Sequence, residues 1–173
     1  SLAIICLGAL IPFFFHNVFG NKSRMFIGDG GTLLMGTIMS VFVLGVLNDR
    51  SIFTSCVNSN FGTVPFVLSM LAIPVFDTIR VMFVRIIRGT SPFRPDKTHL
   101  HHLLLDLHFS HIGTTMVEIL ANFGVVGSWY LSYKLGASID VQTYVVIGLG
   151  VLITFGFYKF ARVQKRKQTK IYK

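Results

Sequence analysis

Charge of either sign is scarce in this 173-residue chain. Only 13% of residues are charged, and seven Asp and Glu face sixteen Lys and Arg, against roughly 25% charged residues in soluble domains. With 52% apolar residues and a mean hydropathy of +0.65, an ordinary soluble domain is excluded and an integral membrane protein is expected. The apolar stretches do not alternate every second residue, which excludes a membrane barrel and leaves helices. Two cysteines, Cys6 and Cys56, are too few for a disulfide framework and read as buried free thiols. No internal repeat is present. The first residues carry no initiating Met, no charged segment and no small-residue cleavage site, so Ser1 to Phe19 is not a signal peptide and reads as a chain entered midway.

What is present is a set of apolar segments: Leu2 to Phe19, Thr32 to Leu47, Phe61 to Phe76 with an extension toward Val84, Thr114 to Tyr133, and Val141 to Tyr158. Each lies near the ~20 residues that a helix needs to cross a bilayer, the second and third being short. The expected fold is therefore an all-α integral membrane protein of about five transmembrane helices. Residues 1–160 form the membrane domain, with a cytoplasmic loop over 77–113, and 161–173 a basic cytoplasmic tail.

The formal net charge of +9 raises the question of nucleic acid, and the positions of the charges answer it. Fourteen of the sixteen Lys and Arg fall in alternate loops and the C-terminal tail, and only Arg50 and Lys134 in the others. That asymmetry follows the positive-inside rule, places the 77–113 loop and the C-terminus in the cytoplasm, and argues for a membrane rather than a nucleic-acid partner. The tail reads as an anchor to anionic lipid.

Five of the six histidines gather between Arg88 and His111, RGTSPFRPDKTHLHHLLLDLHFSH. Gly89 and the steps Ser91-Pro92 and Arg94-Pro95 keep the chain out of helix until Asp96. Asp96 is then a good N-cap for a helix over Lys97 to Leu107, whose apolar spacing is Leu100, Leu103, Leu104, Leu107. The start of that helix, flanked by Arg94 and Lys97, is a candidate phosphate site. His99, His102 and Asp106 are expected on one face, with His101 turned about a third of the way round. Taken singly, such residues are more often solvated loop histidines and headgroup contacts; together they mark a titratable, cationic surface. Zinc is disfavoured, because no cysteine is near and there is no HExxH.

A second unusual element is Arg24-Met25-Phe26-Ile27-Gly28-Asp29-Gly30-Gly31-Thr32. Asp29 stands between glycines where a membrane helix begins. It serves equally well as a Mg²⁺ ligand beside a ligand's phosphates or as a solvated N-cap. Farther along, Asp77 and Arg80 stand at helical spacing and are expected to pair, Asp77 being a structural partner before it is a site residue. Arg80 and Arg88 share one side of that helix, and Ile79, Phe83 and Ile86 the other. Glu118, one turn into the fourth span, is explained by reaching for the interface, and the last two spans carry no evident chemistry.

Phe26-Ile27-Gly28-Asp29-Gly30-Gly31-Thr32 resembles the F-x-G-D-x-G-S motif of the bacterial polyprenyl-phosphate N-acetylhexosamine-1-phosphate transferases, glycosyl transferase family 4, the MraY/WecA group. The run from Gly89 through Ser91-Pro92-Phe93-Arg94-Pro95-Asp96-Lys97-Thr98-His99-Leu100-His101-His102 resembles their S-P-F-x-P-D-x-x-H-x-H-H motif. The two are in register over about eighty residues, with Pro74-Val75-Phe76-Asp77-Thr78 between them also similar. The H-x-H-H form is closer to the WecA-like branch.

The resemblance implies a reaction in which a UDP-N-acetylhexosamine gives its sugar 1-phosphate to polyprenyl (undecaprenyl) phosphate, releasing UMP at the cytoplasmic face of the bacterial inner membrane. It implies Asp29 as a ligand of Mg²⁺, with Mn²⁺ as an alternative, and as a catalytic residue with His99 and His102. It also implies that Arg94, Lys97, His99, His101 and His102 hold the nucleotide diphosphate. Thr32 stands in place of the family's Ser and keeps the hydroxyl. The paired aspartates that precede these motifs in the family are absent, and the family has about twice as many spans, so the chain is expected to be the C-terminal half and inactive alone. A non-enzymatic membrane subunit that binds nucleotide or lipid phosphate is the competing class. A proton-relaying transporter fits less well, since the histidines lie in a loop and not within spans. The particular hexosamine, the glycan made and a homodimeric state are left open.

Overall fold

A computed structural model describes residues 2–19, 28–48, 60–93 and 98–171. Among them every regular element is a helix. The chain folds as two compact units, Ser1–Gly45 and Val46–Lys173.

The first unit contains α1 (Leu2–Phe19) and most of α2 (Gly28–Asn48). These match the first two apolar segments. Polar residues inside α2 spend their hydrogen bonds on the helix itself: Thr37 Oγ1 donates to the Leu33 carbonyl at 3.0 Å and Ser40 Oγ to that of Gly36 at 2.8 Å, so neither hydroxyl needs water.

The second unit is a bundle of α3 (Thr63–Met70), α4 (Ala72–Ile87), α5 (Leu100–Asp106), α6 (His111–Lys134) and α7 (Ile139–Ile171). The expected third span is bent: α3 and α4 meet at 75°. Pro74 explains where. Proline has no N–H and its ring collides with the carbonyl four residues back, that of Met70, which is thereby freed. Asn122 of α6 takes up the loose groups, its Nδ2 donating to Met70 O and its Oδ1 accepting from Ile73 N, both at 3.1 Å.

Two apolar clusters hold the bundle. Ala72, Phe76, Val125, Trp129 and Val146 form one, into which Phe61 and Phe66 pack. Ile73, Leu100 and Leu104 form the other, against Val117, Ala121 and Phe157. The second fastens the short histidine helix to the bundle. α7 passes α4 at Gly150, where any Cβ would collide with the Phe76 ring, so that crossing needs glycine.

One helix, over Ile139–Gln164, is long and apolar enough to cross a membrane, and the bent α3–α4 pair is a second if counted as one span. Ala3–Asn17 and Leu33–Asn48 are shorter apolar helices. α6 has 24 residues, about 36 Å of helix, but Glu118 and Asn122 lower its apolarity. Of the five expected spans the described residues thus contain one that is clear. The polarity of α4 is inverted relative to a soluble helix: Arg80 and Arg85 are buried, whereas Ile79, Phe83 and Ile86 are each more than half exposed.

Candidate functional site

The histidine helix begins three residues later than its spacing implies. His99 is extended, with φ −62° and ψ 154°, and occupies the N-cap position without bonding to the helix through its own side chain. The cap comes instead from Asp77 on α4, whose two carboxylate oxygens both accept from Leu100 N at 3.2 Å. The expected helix start at Lys97 is corrected accordingly. The positive end of α5 faces this carboxylate of its own chain.

Asp77 does more than cap. Its Oδ1 accepts from Arg80 Nη2 at 2.6 Å, and its Oδ2 lies 3.0 Å from His99 Nδ1. A carboxylate that already accepts from Arg80 and Leu100 N also accepts from His99, which puts a proton on Nδ1 and leaves Nε2 facing away from Asp77. Arg80 Nη2 also donates to Thr98 O at 2.7 Å, its guanidinium lies 4.9 Å above the Tyr158 ring, and its Nε and Nη1 find no acceptor among the described residues. The expected Asp77–Arg80 pair is present, and it reaches farther than expected, into the histidines.

Those histidines form a small stack. His99 and His101 lie 6.0 Å apart at 14° between ring planes, and His101 and His102 4.0 Å apart at 42°. His101, expected to turn away, is the middle ring, because His99 is not helical and helical spacing does not apply to it. Partial burial, followed by the neighbouring His102 and His99, pushes His101 below the ordinary imidazole range, while Asp77 pulls the other way. His101 is therefore neutral at pH 7.

The arginines of α4 fasten the loop. Arg85 Nη1 donates to Pro92 O at 2.6 Å, and Arg88 Nη2 to Tyr158 Oη at 2.7 Å. Cations that look in the sequence like topology signals thus carry the loop that presents His99. Tyr158 had no signal in the sequence, being one aromatic residue in an apolar helix. At α5's other end His108 adopts φ 66°, with Phe109 N bonded to Leu104 O and His108 N to Leu105 O, a Schellman closure with histidine where glycine is usual.

His99, His101 and His102 are thus brought together. Asp106 is not with them and faces a separate cavity with Arg88 and Arg162. Arg94, Lys97 and the expected cap Asp96 lie outside the described residues. Asp29 is the second residue of α2, in the first unit, and its side chain also lies outside what is described. Among the described residues no group of three or more His, Cys, Asp or Glu is arranged to hold a metal ion. The histidine stack is in any case the wrong donor set for Mg²⁺, which takes oxygen ligands.

Over 139 residues, 75% of its length, the chain is 30% identical to the undecaprenyl-phosphate alpha-N-acetylglucosaminyl 1-phosphate transferase of Escherichia coli K12. It has the same identity to the Salmonella typhimurium protein of that name. Over 159 residues, 88% of its length, it is 26% identical to the decaprenyl-phosphate N-acetylglucosaminephosphotransferase of Mycobacterium tuberculosis H37Rv. The chain belongs to the polyprenyl-phosphate N-acetylhexosamine-1-phosphate transferase family. It covers 36% of the first of these relatives and 39% of the last. No family model and no solved structure matches it. Within the transferase family's H-x-H-H motif, the geometry adds a brace that the motif itself does not spell: Asp77 and Arg80, about twenty residues upstream.

Proposed function

We propose that this chain supplies the nucleotide-diphosphate-holding part of a phosphoglycosyl transferase that moves N-acetylglucosamine 1-phosphate from its UDP-sugar to a polyprenyl phosphate, with release of UMP. The observation that carries the proposal is the stack of His99, His101 and His102, fixed by Asp77 at the motif the family shares. Its support from relatives is the polyprenyl-phosphate acceptor and the transferred N-acetylglucosamine phosphate that their names state; the UDP-sugar donor rests on the resemblance of the two motifs.

Phosphoryl transfer needs positioning and charge neutralisation more than covalent chemistry. His99, a third of whose side chain is exposed, offers Nε2 to ligand while Nδ1 is held. A diphosphate laid on His101 stabilises its protonated form, so that ring gains a proton as the donor binds. His102 extends the same imidazole surface. Arg94 and Lys97 add charge to the diphosphate, and Asp29 holds Mg²⁺; these three roles rest on the two motifs. Mg²⁺, when bound, neutralises charge on the transferring phosphoryl group.

The membrane placement rests on the apolar α7, the inverted polarity of α4, and the bias of Lys and Arg to alternate loops, which puts the histidine loop on the cytoplasmic side. Asn60 supports the alternation of ends: its Nδ2 donates to Gly136 O and its main-chain carbonyl accepts from Gln142 Nε2, so the residue that leads into α3 meets the sparsely charged α6–α7 turn.

The test is label transfer from radioactive UDP-GlcNAc or UDP-GalNAc to lipid, in membranes supplied with undecaprenyl phosphate and Mg²⁺ and containing the protein expressed from its full reading frame. Wild type should label the lipid, with release of UMP; Asp29→Asn and His102→Ala should not. Unlabelled lipid with folded protein and every nucleotide sugar favours a binding subunit without enzymatic activity. Full activity in both variants means that the site is elsewhere.

A further inference from the structure

At the end of the bundle that carries Arg88 and Tyr158 there is a cavity that the histidines do not use. It measures about 190 Å³ and its lining includes Arg88, Asp106, Leu107, Tyr158 and Arg162. A more open groove of about 400 Å³ adjoins it between α4 and α7. Tyr158 and Arg162 line both, and Phe83, Ile87, Phe155 and Val163 continue the groove as an apolar trough with Lys159 at its edge.

The chemistry of the pair is that of a phosphate with a hydrocarbon tail. Arg88 donates to Tyr158 Oη, which orients the phenol and leaves its own proton free to donate. The Arg162 guanidinium stands on the shared wall. Asp106 offsets one of the three cations, so the pair of sites keeps a net positive charge. The apolar stretch of α7 ends at Gln164, which puts Lys159 and Arg162 in its last turns, at headgroup depth if α7 spans a bilayer. Ile87 and Phe83 are 68% and 52% exposed, so among the described residues of the second unit the trough is uncovered.

We propose that this cavity and groove bind one anionic phospholipid of the bilayer, its phosphate on Arg88, Tyr158 and Arg162 and an acyl chain along Phe83, Ile87 and Phe155. The proposal rests on the membrane placement given above and not on the transfer reaction. Because Tyr158 also lies under Arg80, a lipid held there buttresses the brace of the histidine helix from its other side.

The test is native mass spectrometry of the detergent-purified protein titrated with dioleoyl phosphatidylglycerol, phosphatidylethanolamine or phosphatidylcholine. One phosphatidylglycerol should be retained saturably and preferentially. Arg162→Gln, at an exposed position, and Tyr158→Phe, which keeps the ring under Arg80, should each weaken retention about tenfold, the loss expected for one charge-assisted hydrogen bond. Lys134→Gln, in the turn at the other end of α6, should leave it unchanged. Equal retention of the three lipids, or unchanged phosphatidylglycerol affinity in Arg162→Gln, overturns the proposal. Displacement of phosphatidylglycerol by one equivalent of undecaprenyl phosphate also overturns it, by assigning the pocket to the acceptor lipid instead.

Discussion

Replacing Asp77 by Asn should cost this protein much of its stability, and the structure says why. The Asp77 carboxylate is the sole anion within hydrogen-bond reach of Arg80 among the described residues, and Arg80 is fully buried with two nitrogens already unpartnered. Asn keeps one oxygen for Leu100 N, so the helix cap is largely retained. What is lost is the charge opposite the guanidinium. Leaving a buried ion without its partner costs about 3–5 kcal/mol, a large part of the ~5–15 kcal/mol that folds a typical domain. At roughly 2–4 °C per kcal/mol for a chain of this size, the thermal midpoint in detergent should fall by about 6–20 °C. The double variant Asp77→Asn/Arg80→Leu removes the stranded charge and should recover a good part of that loss, which a double-mutant cycle reads as coupling. His99 provides an independent readout, since its Nδ1 loses an ionic acceptor and donor-nucleotide affinity should drop even in the stability-restored double variant. A midpoint within about 2 °C of wild type for the single variant, or a double variant no more stable than the single, refutes the brace.

Two further outcomes follow from the same geometry. Asn122→Leu strands the part-buried Ile73 N–H and unties the exposed Met70 carbonyl at the α3–α4 bend, and an unsatisfied buried group costs about 1–3 kcal/mol; hydrogen exchange at Ile73 should quicken ahead of the rest of α4, and unchanged protection there would sink the account. Because the folded protein holds His101 below the ordinary imidazole range, the unfolded chain binds more protons as pH falls past about 6.5. Stability should therefore decline as pH falls through about 6.5, a decline that His101→Gln lessens; donor nucleotide should reverse it by drawing a proton onto the ring, seen as proton uptake in calorimetry across buffers, and binding without proton uptake contradicts that role for His101.

Much of the architecture is legible in the residues themselves. Apolar runs mark α1, α2 and α6 to within a few residues, because a helix that lacks water must be apolar along its length, and they mark the start of α7, which continues past its apolar run into the basic tail. Pro74 marks the break after Met70, since a missing N–H is a property of the residue itself. The pairing of Asp77 with Arg80 follows from spacing of three on one helix. The site is legible as a set of residues, His99, His101 and His102, but not as an arrangement. Helical periodicity fails at His99 because α5 is capped at Leu100 N by a carboxylate 23 positions upstream. The C-terminal end of α5 closes on His108 at φ 66°, a conformation that no pattern of side chains announces.

By itself, then, the sequence determined the helical class, the place of the proline in the third segment, the kinship with the transferases and the cluster of histidines as a candidate site. These are local quantities: hydropathy, proline, and motif spacing are all written in short stretches of chain. Tertiary structure alone decided that Asp77 joins a buried arginine to His99, that Asn122 satisfies the broken helix, and that Tyr158 unites Arg80 with Arg88. Each of those contacts joins residues about 20 to 80 positions apart, or makes a neighbourly pair costly by burying it. Their strength comes from the exclusion of water, which only the packed bundle supplies.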